Sequence, residues 1–217
     1  MRRSLLLLTT MALGVLMVSS VAQAASPSAK CQLAATSLGI TGSYKYVGGS
    51  DRKNDNFNSK ATEGVAEVFC GFGGNDEIGT LAEDDIFIGG VGDDSIYDTN
   101  GASGTFYGGA GNDSVWDNTL TGIFYGEVGN DTVFFNYGNF FGGDGADEVE
   151  SNYGTFNGGA DNDSVYLNRA GGTFNGGDGA DFADYNDGTF NGNAGDDFVH
   201  YPEYYPNGTF NQEDPPA

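Results

Sequence analysis

A short loop rich in glycine and aspartate recurs eight times, and its residues are the ones in the chain best suited to binding chemistry. Each loop begins with a glycine and ends five residues later with an aspartate. The first glycines are Gly71, Gly89, Gly108, Gly126, Gly142, Gly158, Gly176 and Gly192, and the closing aspartates are Asp76, Asp94, Asp113, Asp131, Asp147, Asp163, Asp181 and Asp197. Loop carbonyls and carboxylates are hard oxygen ligands, which favour Ca²⁺ over Zn²⁺ or Cu²⁺. The pattern therefore predicts calcium sites at these loops.

The glycines explain how such a loop could present oxygen atoms. Glycine at the first, second and fourth loop positions permits backbone angles that other residues avoid, so the loop can curl with its carbonyls inward. If the loops stack, successive aspartates lie about 5 Å apart, the spacing of neighbouring strands. At that distance each pair repels by roughly 0.8 kcal/mol even in water. A divalent cation between the loops would turn this repulsion into attraction.

The residues around the loops keep the same register. A phenylalanine precedes every loop by two residues, and an Ile, Val or Ala follows every closing aspartate by two. These residues are Phe69, Phe87, Phe106, Phe124, Phe140, Phe156, Phe174 and Phe190, and Ile78, Ile96, Val115, Val133, Val149, Val165, Ala183 and Val199. Short β-branched and aromatic segments with alternating polarity are typical of strands. Repetition of such units predicts an all-β fold, a parallel β-roll or β-solenoid of about eight turns.

Only one side of each unit varies in length. The distance from the phenylalanine to the closing aspartate is constant, whereas the opposite turn is tight at Asn136–Gly138 and longest at Pro202–Gly208. A loop whose length never changes is more suited to a specific task than one that tolerates insertions. The Gly/Asp edge is therefore the candidate functional edge.

The repeats resemble the RTX, or hemolysin-type, calcium-binding repeat, whose pattern is GGxGxDxUx with U apolar. The segments GGVGDDSIY (89–97) and GGAGNDSVW (108–116) fit every specified position, and the resemblance covers about residues 69–211. It implies a parallel β-roll in which calcium lies between adjacent loops, held by aspartate carboxylates and backbone carbonyls.

Some positions depart from that family's pattern. The second edge reads N-x-G-T-F, so the resemblance implies calcium along one edge only, with Asp85 in a degenerate second-edge loop. Phe72, Glu127 and Asn193 replace the second glycine, and Asp161 replaces the fourth. We expect weaker binding at those loops.

The N-terminus indicates export. Residues 1–24 have a basic start, an apolar run and an A-x-A site, which is typical of a cleaved signal peptide. We expect a secreted, extracellular protein in which Cys31 and Cys70 form a disulfide. Residues 25–63 lack the repeat and are predicted to be a small N-terminal cap, followed by the calcium-binding roll at 64–217.

The charge balance excludes several function classes. With 31 acidic and 8 basic residues the formal net charge is −23, which disfavours nucleic acid and anionic membrane surfaces as partners. No apolar stretch after the leader is long enough for a membrane span. The single histidine, His200, has no candidate catalytic partners in the sequence, so we expect a protein that is not an enzyme.

Outward-facing aromatic residues suggest a second kind of partner. Strand alternation places these rings outside the early turns, and they are Tyr97, Tyr107, Trp116, Tyr125 and Phe134. They could bind a carbohydrate or a cell-surface partner, or they could only cover a face against the cap or another copy of the chain.

The function predicted from the sequence is an exported calcium-binding β-roll, structural or adhesive in role, that folds when calcium binds between its Gly/Asp loops. The alternatives are a carbohydrate- or surface-binding module that uses the outward aromatics and, less favoured, a calcium-dependent enzyme acting on polysaccharides.

Overall fold

The chain folds into a parallel β-solenoid preceded by one short helix, as the repeat predicts. The structure is a computed structural model that describes residues 25–58, 64–97, 102–201 and 208–212. The expected signal peptide, residues 1–24, lies outside the described residues. Within them, no helix has the length and apolar character that a membrane crossing requires.

The secondary structure alternates short strands with turns. The helix is α1 (Pro27–Ser37), and the strands are β1 (Lys45–Gly48), β2 (Glu67–Gly73), β3 (Glu77–Ile78), β4 (Ile86–Val91), β5 (Ser95–Ile96), β6 (Thr105–Ala110), β7 (Ser114–Asn118), β8 (Ile123–Val128), β9 (Thr132–Asn136), β10 (Asn139–Asp144), β11 (Glu148–Asn152), β12 (Thr155–Ala160), β13 (Ser164–Asn168), β14 (Thr173–Asp178), β15 (Phe182–Asn186), β16 (Thr189–Ala194), β17 (Phe198–Val199) and β18 (Thr209–Gln212).

These strands form two parallel sheets. The first sheet has ten strands in the order β1-β2-β4-β6-β8-β10-β12-β14-β16-β18, and the second has eight in the order β3-β5-β7-β9-β11-β13-β15-β17. Each turn of the solenoid thus contributes one strand to each sheet. The Gly/Asp loop leads from the first sheet to the second, and the variable turn leads back.

Identical residues stack in register and form the core. In the first sheet Phe140 pairs with Phe124 on one side and with Phe156 on the other. From Phe87 to Phe190, neighbouring ladder rings stack with centroids 4.6–5.0 Å apart. The Ile/Val ladder of the second sheet belongs to the same buried cluster. The two predicted ladders therefore form the hydrophobic core.

A buried asparagine ladder lines the edge opposite the Gly/Asp loops. Asn118, Asn136, Asn152, Asn168 and Asn186 are at most 4% exposed. The amide of Asn136 donates to Oδ1 of Asn152 at 2.8 Å and to the carbonyl of Thr155 at 3.1 Å. These bonds satisfy the buried amide and fix the tight turn.

The segment predicted as a cap includes an additional solenoid turn. β1 pairs in parallel with β2, so Val47 takes the place next to Phe69 in the first sheet. Asn56 bridges Glu77 in the second sheet, and Phe57 is fully buried there with its ring edge-on to Phe69 and Phe87. The backbone N–H of Asp55 donates to Oδ1 of Asp76 at 2.6 Å, which continues the pattern of the following loops. The motif Asn54-Asp55-x-Phe57 carried this signal in the sequence, but the longer loop before it obscured the repeat.

Helix α1 covers the N-terminal end of the first sheet. It begins with Pro27 after Ser26, whose hydroxyl accepts a bond from the Ala29 N–H, a typical N-cap arrangement. Cys31 forms the predicted disulfide with Cys70 of β2. Val68 and Cys70 face outward beneath the helix, so the helix buries the outer side of β2.

Adjacent phenylalanines in β10 provide a matched test of the core. Phe140 is fully buried in the ladder and Phe141 is 38% exposed on the outer face. Phe140→Ala should destabilise the protein by about 3–5 kcal/mol, because it leaves a cavity in a close-packed stack. Phe141→Ala should cost much less in denaturant unfolding under identical conditions. Equal losses for the two variants would contradict the assigned orientation of the strand.

Candidate metal-binding loops

The closing aspartates lie inside the loops, and the structure brings all eight together in one row along one edge of the solenoid. They are between 0 and 5% exposed. The backbone N–H of each aspartate donates to Oδ1 of the aspartate one turn later, for example from Asp131 to Asp147 at 2.7 Å. The corresponding bonds from Asp76 to Asp197 are all 2.7–2.9 Å long. Stacking of the turns therefore orders one oxygen of every carboxylate.

From Asp94 to Asp197, the second oxygen of each closing aspartate has no protein partner. These seven Oδ2 atoms are buried and make no hydrogen bond to the described residues. A buried carboxylate oxygen without a donor is costly, and it calls for a proton, a water or a cation. This row of Oδ2 atoms is the most unusual chemical feature of the loops.

The first glycine of each loop makes room for that oxygen. A Cβ added to Gly142 would lie 1.9 Å from Oδ2 of Asp147 and 2.6 Å from the carbonyl oxygen of Gly158 in the next turn. Two acceptors thus border the same point beside the Gly142 Cα. The same arrangement is found at Gly71, Gly89, Gly108, Gly126 and Gly158.

The prediction that glycine provides unusual backbone angles was correct at the second and fourth loop positions and wrong at the first. Second- and fourth-position glycines have positive φ, such as 119° at Gly143 and 131° at Gly145. First-position glycines do not have positive φ. They are required because a Cβ at that position would collide with Oδ2 of the closing aspartate.

The residues that replace glycine keep the backbone shape of the loop. Phe72, Glu127, Asp161 and Asn193 have φ between 71° and 78°, in the left-handed region. Such angles are unfavourable for residues with a Cβ. The stacked neighbours impose the loop conformation despite this cost.

A second, exposed ladder runs along the outside of the loops at the fifth position. The backbone N–H of Asn130 donates to Oδ1 of Asn112, and that of Ala146 donates to Oδ1 of Asn130, at 2.9 and 3.0 Å. These bonds run in the opposite direction to those of the closing aspartates. Together the two ladders hold each loop against both of its neighbours.

Burial of the carboxylates raises their pKa values. Desolvation is the main cause, neighbouring carboxylates add to it, and the backbone hydrogen bond to Oδ1 opposes it. The pKa is raised to about 8 for Asp113 and Asp147, and to about 7 for Asp94 and Asp163. At neutral pH these groups therefore lie near the point where they exchange a proton or bind a cation.

The oxygen atoms at the loops are suited to a hard cation. They do not form the compact cluster of side chains that holds a metal ion in many other proteins. Among the described residues, no group of three or more His, Cys, Asp or Glu side chains converges on one point. Each turn offers one buried carboxylate oxygen, so further ligands have to be loop carbonyls or water. Oxygen ligands of this kind suit Ca²⁺, which takes six to eight of them.

No family model, curated protein or solved structure matches the chain.

The predicted second-edge loop contains a carboxylate of a different kind. Asp85 is 7% exposed at the opposite edge, and its Oδ1 accepts a bond from the Glu67 N–H at 2.9 Å. Glu67 is paired with Lys45 at 2.5 Å. The Asp85 carboxylate thus accepts a bond from a protein donor, unlike the Oδ2 atoms of the Gly/Asp loops.

The five outward aromatics lie on two opposite faces. Tyr107 and Tyr125 are on the outer face of the first sheet, stacked with centroids 5.0 Å apart. Trp116 in β7 and Phe134 in β9 belong to the second sheet, with ring centroids 4.6 Å apart, and Tyr97 directly follows β5 of the same sheet. Because the rings stack along the solenoid axis, their faces cover one another and mainly their edges reach solvent.

His200 lies apart from the loops. It is on the outer side of the second sheet, with Nδ1 3.1 Å from Oδ1 of Asp184 and its ring stacked on Tyr201. The row of Oδ2 atoms, rather than this pair, is the arrangement in the chain that calls for a ligand.

The raised pKa values predict that acid stabilises the metal-free chain. An aspartate with a pKa of about 3.9 when unfolded and a higher pKa when folded binds more protons in the folded state, so stability falls as pH rises between the two values. For Asp113 and Asp147 the upper value is about 8. We expect strand circular dichroism of dialysed, metal-free protein to weaken from about pH 4 to pH 8. A stronger signal at pH 8 than at pH 4 would show that the carboxylates are not buried in this way.

Proposed function

We propose that this protein is an exported calcium-binding β-solenoid of the RTX type, structural or adhesive rather than catalytic, which folds as calcium binds to its Gly/Asp loops. The observation that carries the proposal is the row of seven buried Oδ2 atoms, from Asp94 to Asp197, without a protein donor among the described residues. Their regular placement along one edge is expected of a ligand row and has no role in strand pairing.

The charge of the row favours a divalent cation over water. Neighbouring carboxylates raise one another's pKa, as Asp131 and Asp163 do for Asp147. A water molecule would satisfy a lone pair without removing this repulsion, whereas a cation removes both costs. Protons can do so only below the raised pKa values, which are about 6 for Asp131 and Asp181 and about 8 for Asp113 and Asp147. Extracellular calcium is available in the millimolar range in which extracellular modules bind it.

Calcium binding should be coupled to folding. The liganding oxygens of adjacent turns come together only when the turns stack, and each turn contacts only its neighbours along the axis. Binding free energy then becomes folding free energy, as in other small metal-dependent domains. The glycine-rich loops add to the entropy cost that calcium has to offset.

Export is supported by the disulfide together with the leader. Cys31 and Cys70 are bonded in the structure, and such bonds persist mainly outside the cytosol. Cleavage after Ala24 would leave a chain that starts at Ala25, one residue before the N-cap Ser26.

The direct test is a calcium titration of the mature chain. At pH 7.5 in chelator we expect a random-coil circular dichroism spectrum, and on adding calcium a cooperative gain of strand signal with heat release in calorimetry. Magnesium at the same concentration is the control cation. A chain equally folded in chelator and in calcium, with no heat of binding, would refute the proposal.

A conservative variant separates the charge from the hydrogen-bond ladder. Asp147→Asn keeps an Oδ1 acceptor for the Asp131 N–H and places an amide beside the Gly158 carbonyl. We expect it to bind less calcium while its metal-free form loses part of its pH dependence. Glu150→Gln, an exposed site on the outer face of β11, removes the same charge and should bind calcium as the wild type does.

The position of the lesion should also matter. Asp147 lies between two neighbouring aspartates, whereas Asp197 closes the last loop. Asp147→Ala should therefore lower calcium-dependent stability more than Asp197→Ala, measured by thermal unfolding at saturating calcium. The reverse order would show that the sites do not act through their neighbours.

A further inference from the structure

The first and third strand positions on the outer face of the first sheet carry no charge, although the protein is strongly acidic. The first and third residues of each strand point outward and are partly exposed, while the second and fourth are buried. In the strands of this sheet from β4 to β18 these outward residues are Ile, Thr, Asn, Tyr or Phe. The nearest acidic side chain is that of Glu127, the fifth residue of β8. Burial is the main cause of the raised pKa of Tyr107, and the charge of Glu127 contributes to it. In a chain of net charge −23 this neutrality sets the face apart.

The second sheet provides the comparison within the same molecule. Its outward positions include Glu77, Glu148, Glu150 and Asp184. Both sheets have the same strand geometry and the same solvent access, so the β-fold itself does not require a neutral face. Neutrality is a property of one side only.

The side chains of the neutral face are held in order by one another. Tyr107, Tyr125 and Phe141 form a stack with centroids 5.0 Å apart. Beyond it, the amide of Asn175 donates to Asn157 and the amide of Asn191 donates to Asn175, both at 2.7 Å. Because these groups are already ordered, docking a surface against them costs little side-chain entropy.

The remaining hydrogen-bonding capacity points to the chemistry of the partner. Each ladder asparagine uses one amide N–H and one oxygen lone pair on its neighbours, and it keeps one of each for a ligand. The threonines beside them, such as Thr173, add hydroxyl groups that donate and accept. The asparagine and threonine positions from β12 to β18 therefore offer both donors and acceptors at the strand spacing of about 4.8 Å, and they carry no charge.

Charge selects among the possible occupants. Sulfated, phosphorylated or uronic-acid polymers would be repelled by the acidic chain, and a second copy would bring the same negative charge against it. A neutral, hydroxyl-rich polymer meets no such repulsion and can satisfy every amide and hydroxyl that it covers. The edges of the tyrosine stack add an apolar strip with hydroxyl tips.

We propose that the outer face of the first sheet, from β6 to β18, docks flat on a neutral, ordered polysaccharide surface such as a β-linked glucan or chitin fibre. Helix α1 covers the same face at β1 and β2 and so limits the docking surface at its N-terminal end. The site is separate from the Gly/Asp loops, and the proposal does not depend on which cation they bind.

The test measures depletion of the mature, disulfide-bonded protein by suspensions of microcrystalline cellulose and of chitin at saturating calcium. Thr173→Asp adds one charge at a half-exposed outward position of β14, and Ser164→Asp adds the same charge at an equivalent position of β13 in the second sheet. We expect Thr173→Asp to weaken binding by about tenfold or more, because it buries an unpaired carboxylate. Ser164→Asp should bind as the wild type does.

Circular dichroism of each variant keeps the result independent of folding and of the calcium proposal. If Thr173→Asp misfolds, Asn175→Asp replaces it, since it keeps the acceptor for the Asn191 amide. Wild-type protein that is folded but binds neither solid would overturn the proposal, as would equal binding by the two charge variants. Self-association or binding to ice that Thr173→Asp abolishes, without polysaccharide binding, would assign the face to a different occupant and also overturn it.

Discussion

Burial of one carboxylate per turn is the constraint on which the Gly/Asp edge depends. The aspartate has to enter the solenoid so that its Oδ1 can accept the N–H of the preceding turn, and this leaves Oδ2 buried beside a carbonyl oxygen. Every loop glycine then has a physical reason, since the first gives space to the carboxylate and the others turn the chain. A row of buried oxygens of this kind is costly until protons, water or cations meet it.

The two edges of the solenoid solve the same problem differently. In the asparagine ladder, the buried oxygens of Asn136, Asn152, Asn168 and Asn186 each accept from the amide of the preceding asparagine, and only Oδ1 of Asn118 at its first turn does not. An aspartate ladder lacks that donor, because a carboxylate only accepts. The chemical difference between the two edges is therefore one atom per turn. The amide nitrogen of asparagine donates to the next turn, whereas the second oxygen of aspartate needs a donor or a cation from elsewhere.

Stacking of like residues also decides what the surfaces can do. Tyr107 and Tyr125 would each present a ring face if they stood alone, but in register they cover one another. The surface that results is a flat, ordered array rather than a set of separate aromatic platforms. Recognition by such a face depends on its repeat and its lack of charge more than on any single ring.

The sequence by itself determined the repeat, the strand order, the two core ladders and the loop edge, because each depends on a period that is visible in one dimension. It also identified Cys31 and Cys70 as partners. The additional turn at Asn54–Phe57 was missed because its longer loop breaks that period. Only the tertiary structure decided that Oδ1 of each aspartate is bonded and, from Asp94 to Asp197, Oδ2 is not, that the first glycine provides space, and that the aromatics are divided between two faces. Those properties arise from contacts between turns 16 to 19 residues apart, and their direction is set by packing rather than by residue type.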